Sequence, residues 1–256
     1  MPNTRNCQGL STLWIICPNL NPVQKELIDN FVKDLESLLG VKKTEITFAE
    51  EWTNSAPGNL GEQSFQHYMK HAPTHAFFYD LYHNFDQFRA KYYAKFHRAP
   101  YVSPMLRWRW KIAEDLTRSQ RDDAILRLQI FKRWFLDEVM CVTTHTTIVV
   151  LPIEETRPNY RDDPPPPPKM PSGIGMLDLS PTLGAPELVV PVGQISYESR
   201  ISRQIEYLPV GLSLMGAPGT DLELIGKAQA CLEKAGRPTR VLVGSLMFAK
   251  EADSKV

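Results

Sequence analysis

The chain has 256 residues, 43% hydrophobic and 23% charged, which is enough to bury a core of ordinary globular size. Its 29 Lys and Arg residues balance 29 Asp and Glu residues, so no overall field attracts nucleic acid or an anionic membrane. No stretch approaches the ~18 consecutive apolar residues of a membrane helix. We therefore predict one domain over residues 1–256, with neither nucleic acid nor a membrane as its partner.

A helix is the first element that the sequence predicts clearly. Asn21 can cap it, Pro22 suits its first turn, and Gly40 ends it. Residues 41–48 then alternate enough to predict a short strand. Residues 50–104, interrupted by prolines, are predicted to form short helices and loops. The apolar stripe of the first helix consists of Val23, Leu27, Phe31, Leu35 and Leu38.

The middle of the chain predicts a second long helix and a buried strand. The helix begins at Thr117, which forms a capping-box pattern with Gln120. Its predicted buried stripe is Ala124, Leu128, Phe131, Phe135 and Val139. Residues 146–153 are continuously apolar and β-branched, which predicts a strand buried on both faces near the sheet centre.

Five consecutive prolines, Pro164–Pro168, follow that strand. They can neither pair in a sheet nor continue a helix, so residues 162–170 are predicted to be a stiff, proline-rich surface loop. A spacer is one interpretation of this loop, and a binding site for a proline-recognising partner is the other.

The last third of the sequence is the most regular part. Strands are predicted at 188–192 and 208–215 with a polar connection over 194–207, and a last strand at 239–243. Thr220 and Glu223 form a capping-box pattern for a helix that ends at Gly236, with a buried stripe of Leu222, Ile225, Ala228, Leu232 and Ala235. The fold class is therefore α/β, with a mixed β-sheet flanked by helices.

Histidines are candidate metal ligands or bases because imidazole titrates near neutrality. His67, His71 and His75 have four-residue spacing, but Pro73 interrupts the helix that would align them, and no cysteine or carboxylate follows at a ligand interval. We predict no metal site and no cofactor. The other histidines are predicted to be surface or hydrogen-bonded residues: His83, His97 and His145.

Nucleophile motifs are missing from the sequence. No G-x-S-x-G occurs, and the segment Ser172–Gly175 predicts a turn because it lacks the lysine of a phosphate loop. The adjacent carboxylates Asp122-Asp123 and Glu154-Glu155 diverge on any helix or strand. Arg107–Lys111 interleaves cations and indoles, which suits either single-stranded nucleic acid or packed tryptophans beside arginines; we favour packing.

The four cysteines are Cys7, Cys17, Cys141 and Cys231. They lie far apart and form no C-x-x-C pair, so free thiols in a reducing compartment are expected. The amino-terminal residues lack the continuous apolar segment of a secretory signal. We therefore predict a cytoplasmic location.

Residues 184–193, GAPELVVPVG, and 208–221, LPVGLSLMGAPGTD, resemble the carboxy-terminal hallmark of the amidase signature family. A G-x-P turn, a strand ending in P-x-G, an insertion, an L-P-x-G strand and a glycine turn follow in the family's order, and each glycine or proline bounds a strand. Residues 21–52, 135–154 and 158–162 are similar to fungal amidase-like proteins. The resemblance implies the carboxy-terminal half of that fold.

Enzymes of this family hydrolyse amides with a Ser-Ser-Lys arrangement, in which a lysine activates a bridging serine that activates the nucleophile. All three residues belong to the amino-terminal half of the family fold. This sequence contains no Ser-Ser pair and no Gly/Ser-rich segment, so no catalytic residue carries over to a position here. We expect Met1 to lie downstream of where those residues would fall.

Three functions remain open from the sequence. The first is an amidase-like protein that is inactive alone as an amide hydrolase and serves in fungal secondary metabolism. The second is the carboxy-terminal half of a carbon-nitrogen hydrolase, completed by a separate amino-terminal half and marked by an exposed hydrophobic edge. The third is a non-catalytic scaffold. The predicted partners are a complementary amino-terminal amidase half or further copies of this chain, and a small-molecule amide.

Overall fold

A computed structural model describes residues 11–15, 20–143, 146–152, 154–242 and 248. The chain forms two compact units. The first comprises the residues up to Glu51, Phe135–Asp163 and those from Leu179 onward; the second comprises Trp52–Trp134 and Pro164–Asp178. Within the described ranges, no helix is long and apolar enough to cross a membrane.

The described secondary structure alternates helices and strands in the first unit and is helical in the second. The strands are β1 (Ser11–Ile15), β2 (Lys43–Ile46), β3 (Thr147–Pro152), β4 (Glu187–Glu198) and β5 (Ile205–Met215). The α-helices are α1 (Pro22–Leu39), α2 (Phe48–Ser55), α3 (Phe65–Met69), α4 (Ala72–His83), α5 (Asp86–Phe96), α6 (Pro104–Ala113), α7 (Arg118–Trp134), α8 (Leu179–Leu183) and α9 (Asp221–Lys234). A π-helical turn, Phe135–Val139, follows α7.

The five strands form one mixed sheet in the order β2-β1-β3-β5-β4, which confirms the predicted fold class. β1 is parallel to β2 and to β3, whereas β5 is antiparallel to β3 and to β4. The sequence analysis missed β1, which precedes the first predicted helix. It predicted the central position of β3 correctly, since every residue of this strand is buried. Ile153, the last residue of the predicted strand, lies outside the described residues.

The β4–β5 hairpin is longer than the sequence analysis predicted. Its strands pair from Glu187 opposite Met215 to Glu198 opposite Ile205, with a register irregularity between Pro191 and Gly193. The predicted polar connection over 194–207 is therefore shorter, residues 199–204, and its other residues belong to the two strands. Backbone groups form the ladder, so polar side chains on the exposed face do not prevent pairing.

Helices α1 and α9 share one hydrophobic core with the sheet. The ends of α1 are as predicted: Asn21 Oδ1 accepts hydrogen bonds from Val23 N and Gln24 N, and Gly40 ends the helix with a φ of 68°. The core combines residues of α1, β3, β4, β5 and α9, among them Phe31, Leu35, Ile148, Val150, Val190, Leu212, Leu214 and Ala228. Val23, assigned to the buried stripe, is 55% exposed.

The carboxy-terminal predictions need three corrections. The buried side of α9 is Leu224, Ala228, Cys231 and Leu232, whereas Leu222 is 84% exposed and Ile225 49% exposed. Thr220 does not form the predicted capping box, because its hydroxyl donates to the Ala217 carbonyl. Residues 239–242 form no strand, and Val243 lies outside the described residues.

The second unit is organised around the fully buried Trp52. This ring stacks on Tyr68 at 4.9 Å between centroids and meets Trp134 edge-on at the same distance. The prediction of short helices for residues 50–104 is confirmed. The predicted capping box of α7 also forms, since Gln120 N donates to Thr117 Oγ1 and Thr117 N donates to Gln120 Oε1.

Candidate functional site

A groove of about 560 Å³ lies beside the β4–β5 hairpin in the first unit. The loop Glu154–Arg157, which follows β3, and Val241 contribute to its lining. The strand residues that line it are Val189, Pro191, Leu208, Pro209, Val210 and Gly211. Apolar groups thus dominate the surface that a ligand would contact, with charged side chains from the loop.

One buried side chain holds the loop of the groove in place. Gln24 of α1 is 0% exposed, and its Nε2 donates to the Glu154 carbonyl at 2.7 Å. Its Oε1 accepts from Thr156 N at 2.8 Å. A buried amide with unmet hydrogen bonds would be costly, so both contacts matter to the fold. The sequence analysis did not identify Gln24, because it considered only the caps and the apolar residues of this helix.

Two glycines of the amidase-like segments lie where an added Cβ atom would meet a neighbouring side chain. A Cβ atom at Gly193 would lie 2.8 and 2.9 Å from the two methyl carbons of Leu27. A Cβ at Gly211 would lie 3.1 Å from a methyl carbon of Val189, which lines the groove. The glycines therefore allow α1 and the groove side chains to approach the hairpin.

The groove residues that the structure describes include few groups typical of amide hydrolysis. Among the described residues that line it, none is serine, cysteine, histidine or lysine. Glu154 and Glu155 are exposed members of the loop, so they do not form the facing carboxylate pair of a glycosidase. The lining suits a small apolar molecule with a polar end.

Three described serine hydroxyls make hydrogen bonds to backbone groups, and a fourth is buried without a partner. Ser180 Oγ donates to the Ala185 carbonyl at 2.8 Å. Ser64 and Ser103 accept from backbone N–H groups at helix starts. Ser213 lies in β5, 1% exposed, and its Oγ has no hydrogen-bond partner. None of these contacts joins a serine to a lysine or histidine base, which an attacking hydroxyl needs.

Ser202, in the turn that connects β4 to β5, donates to a carboxylate. Ser202 Oγ and the Tyr197 hydroxyl each donate to Glu206 at 2.5 Å. These hydrogen bonds lower the pKa of Glu206, and the bond to Glu206 raises the pKa of Tyr197. A carboxylate with a lowered pKa is a weak proton acceptor, so this cluster fixes the hairpin end and does not activate Ser202.

The histidine trio does not form a metal site. His67 lies in α3, which ends at Met69, and Pro73 stands in the first turn of α4. Only His71 and His75 meet, with stacked rings 5.1 Å apart. Burial, followed by the neighbouring His71, lowers the pKa of His75. No group of three or more metal-ligating side chains occurs among the described residues.

The remaining histidines and carboxylate pairs have local roles. His83 Nδ1 lies 3.3 Å from Asp86, and His97 ends α5 with a φ of 53°. Of the α7 carboxylates, Asp122 pairs with Arg121 and Asp123 pairs with Arg127. His145 lies outside the described residues.

The Arg107–Lys111 segment lies in α6 with both indoles directed to α4. Trp110 Nε1 donates to the Leu81 carbonyl at 3.1 Å, and Trp108 meets Phe78 edge-on. This is the packing that the sequence analysis favoured. The absence of nucleic acid as a partner stays a prediction.

Two further sets of residues were considered as candidate site residues: the glycine-serine segment and the cysteines. Gly173 has a φ of 75° and its N–H donates to the Lys70 carbonyl, so a bend forms here as predicted. Burial raises the pKa of the Cys231 thiol to about 11, which makes it a poor nucleophile. Cys7 and Cys17 lie outside the described residues.

Solved structures share this fold, although no family model matches the sequence. A bacterial aryl acylamidase of the amidase signature family aligns with 89% of this chain and 46% of its own, with a TM-score of 0.56. Fatty acid amide hydrolase aligns with 88% of this chain and 40% of its own, with a TM-score of 0.53. A 6-aminohexanoate cyclic dimer hydrolase aligns with 92% of this chain and 48% of its own, also with a TM-score of 0.53.

All three alignments have 15% sequence identity, so they show a shared fold. The chain spans 40 to 48% of the length of these enzymes. The fold is therefore part of the amidase signature fold, as the resemblance of the carboxy-terminal segments predicted.

Proposed function

We propose that this is an amidase-related protein that does not hydrolyse amides by itself. The observation that carries the proposal is the set of serine contacts: the hydroxyls of Ser64, Ser103, Ser180 and Ser202 reach carbonyls, amide N–H groups or a carboxylate of lowered pKa, and none reaches a lysine or histidine. Loss of catalytic groups in serine hydrolases typically costs on the order of 10⁴- to 10⁶-fold in rate.

The groove supports a retained binding role. Its apolar lining and the polar loop beside it match a small carboxamide with an apolar substituent. Such binding would suit an accessory part in fungal secondary metabolism, in the cytoplasm. The two cysteines that the structure describes, Cys141 and Cys231, are thiols, which agrees with a reducing compartment.

Titration of the purified chain with acetanilide, followed by NMR, tests binding and reaction together. Shifts should map to Val189 and Gly211, and no aniline should appear. Val189→Glu should abolish the shifts, because it places a charge in the apolar lining. Val23→Glu is the matched control, since Val23 is 55% exposed and Val189 58%. Aniline release, or binding that survives Val189→Glu, would contradict the proposal.

A second candidate is the carboxy-terminal half of a split carbon-nitrogen hydrolase. The observation that favours it is the sheet edge: β4 is an outermost strand of 12 residues among the described ones. Val189 on this strand is exposed beside the groove. Edge strands are templates for pairing with a further strand.

Co-purification from the native source distinguishes the two candidates. A split hydrolase predicts a stoichiometric partner polypeptide that contains the Ser-Ser-Lys residues and restores hydrolysis of an aryl amide. Purification of the chain alone, or with a partner that restores no activity, would rule out the split enzyme.

A further inference from the structure

The proline run Pro164–Pro168 has no part in the groove. Residues 161–172 are all exposed, and residues 164–172 lie in neither helix nor strand. Proline fixes φ near −65°, and it also confines the residue before it to extended backbone. Because four of the five prolines precede another proline, the run is confined to the polyproline II conformation.

The residues before and after the run each make contacts within their own compact unit. Asp163 forms an ion pair with Arg200, and the guanidinium of Arg200 lies over the Tyr160 ring at 4.1 Å. Beyond the run, Gly173 N donates to the Lys70 carbonyl at 3.0 Å. A stiff, exposed polyproline II segment loses little conformational entropy when a partner binds it.

The spacing of the run presents a P-x-x-P ridge. Polyproline II has three residues per turn, so Pro164 and Pro167 lie on one edge, and Pro165 and Pro168 form a second P-x-x-P pair on another. Ridges of this kind dock into aromatic-lined grooves of small recognition domains, which exploit the preformed helix.

Charge distinguishes the two ends of the ridge. At the amino end, the charges of Asp162 and Asp163 exceed that of Arg161, so this end is net negative. The Arg161 Nε atom lies 3.7 Å from the Asp162 carboxylate. At the carboxyl end, the exposed Lys169 is followed by the neutral Met170. A polyproline II ridge has similar shape in both directions, so an acidic site at one end of a partner's groove would select the Lys169 end.

We propose that Pro164–Lys169 is a docking site for an SH3-type domain whose aromatic groove ends in acidic side chains, with Lys169 at the acidic end. The chemistry of the ridge favours this class because it combines P-x-x-P spacing with a cation two residues after the second proline. The inference goes beyond the proposed function and does not depend on it.

The proposal is tested by titrating the full chain against a panel of purified SH3 domains whose grooves end in acidic side chains. A WW domain, which represents another class of proline-recognising domain, is titrated beside them. At least one SH3 domain should bind, and Pro167→Ala and Lys169→Glu should each weaken binding about tenfold or more. Pro165→Ala is the matched control, because it removes one proline from the same run at a different edge. It should weaken binding less than about threefold.

Lys91→Glu, at an exposed lysine of α5, controls for overall charge and should leave binding unchanged. The substituted residues are exposed, so the fold is retained and circular dichroism verifies it. The proposal is overturned if no SH3 domain binds, if only the WW domain binds, or if Pro165→Ala weakens binding as much as Pro167→Ala.

Discussion

At the scale of single residues, Gln24 links the helix that begins the core to the loop that lines the groove. Its side-chain amide forms hydrogen bonds with the backbone of Glu154 and Thr156, which are 130 and 132 residues further along the chain. Such a contact leaves no pattern in sequence, since a polar residue in an amphipathic helix ordinarily faces solvent. The helix could be predicted, but this role could not.

Gln24→Leu should lower the free energy of unfolding by about 1–3 kcal/mol, because it leaves a carbonyl and an N–H of the loop without partners. Gln229→Leu in α9 is the matched control, since Gln229 is exposed, and its effect should stay within about 0.5 kcal/mol. Urea denaturation of both variants measures the difference. Equal effects would contradict the role assigned to Gln24.

His75 should make stability depend on pH. Its folded-state pKa is lowered from 6.5, chiefly by burial and also by His71, with Asp123 opposing. As pH falls through about 6.5, the unfolded state therefore binds the proton first and stability is lost. The loss ends below the folded-state pKa, where both states are protonated.

Replacement of His75 by Gln should accordingly flatten the decrease in melting temperature between about pH 7.5 and pH 5. His97→Gln, at an exposed residue that ends α5, should leave the decrease as in the parent protein. Thermal unfolding across this pH range is the measurement. A parallel decrease in the His75 variant would refute the linkage.

At the scale of elements, the ends of α1 and the start of α7 were predicted correctly, whereas the Thr220 capping box and the buried side of α9 were not. Helix α1 begins after Asn21 and ends at Gly40 as predicted, and Thr117 caps α7. Each of these capping residues lies within a few residues of the helix end that it marks. The buried side of α9 and the length of the β4–β5 hairpin depend on partners elsewhere in the fold. Capping chemistry is local, whereas burial is decided by tertiary packing.

Alanine substitution should have opposite effects on stability at Gly193 of β4 and at Gly226 of α9. Gly193→Ala should destabilise the protein by up to about 1 kcal/mol, because the half-buried Leu27 side chain must shift to make room for the new methyl group. Gly226 lies inside α9 with nothing within 4 Å of its ideal Cβ, so Gly226→Ala should stabilise by about 0.5–1 kcal/mol. Denaturant unfolding of both variants measures the signs, and a stabilising Gly193→Ala would refute the packing argument.

At the scale of the whole molecule, the fold could be anticipated and the groove could not. The strand-bounding glycines and prolines of residues 184–193 and 208–221 are close enough in sequence to indicate the amidase signature fold by their order alone. The groove combines a loop near residue 155 with a hairpin more than 30 residues later and a residue near the carboxyl end. Only the folded chain brings these together.

The central proposal is that the chain has no serine activated for amide hydrolysis. Incubation of the homogeneous protein with a fluorophosphonate, followed by intact mass measurement, tests it directly, with the bacterial aryl acylamidase as the positive control. The acylamidase should gain one phosphonate per chain. The present protein should show no stoichiometric adduct, because an unactivated hydroxyl reacts too slowly. Complete labelling of a single serine in the folded chain would contradict the account.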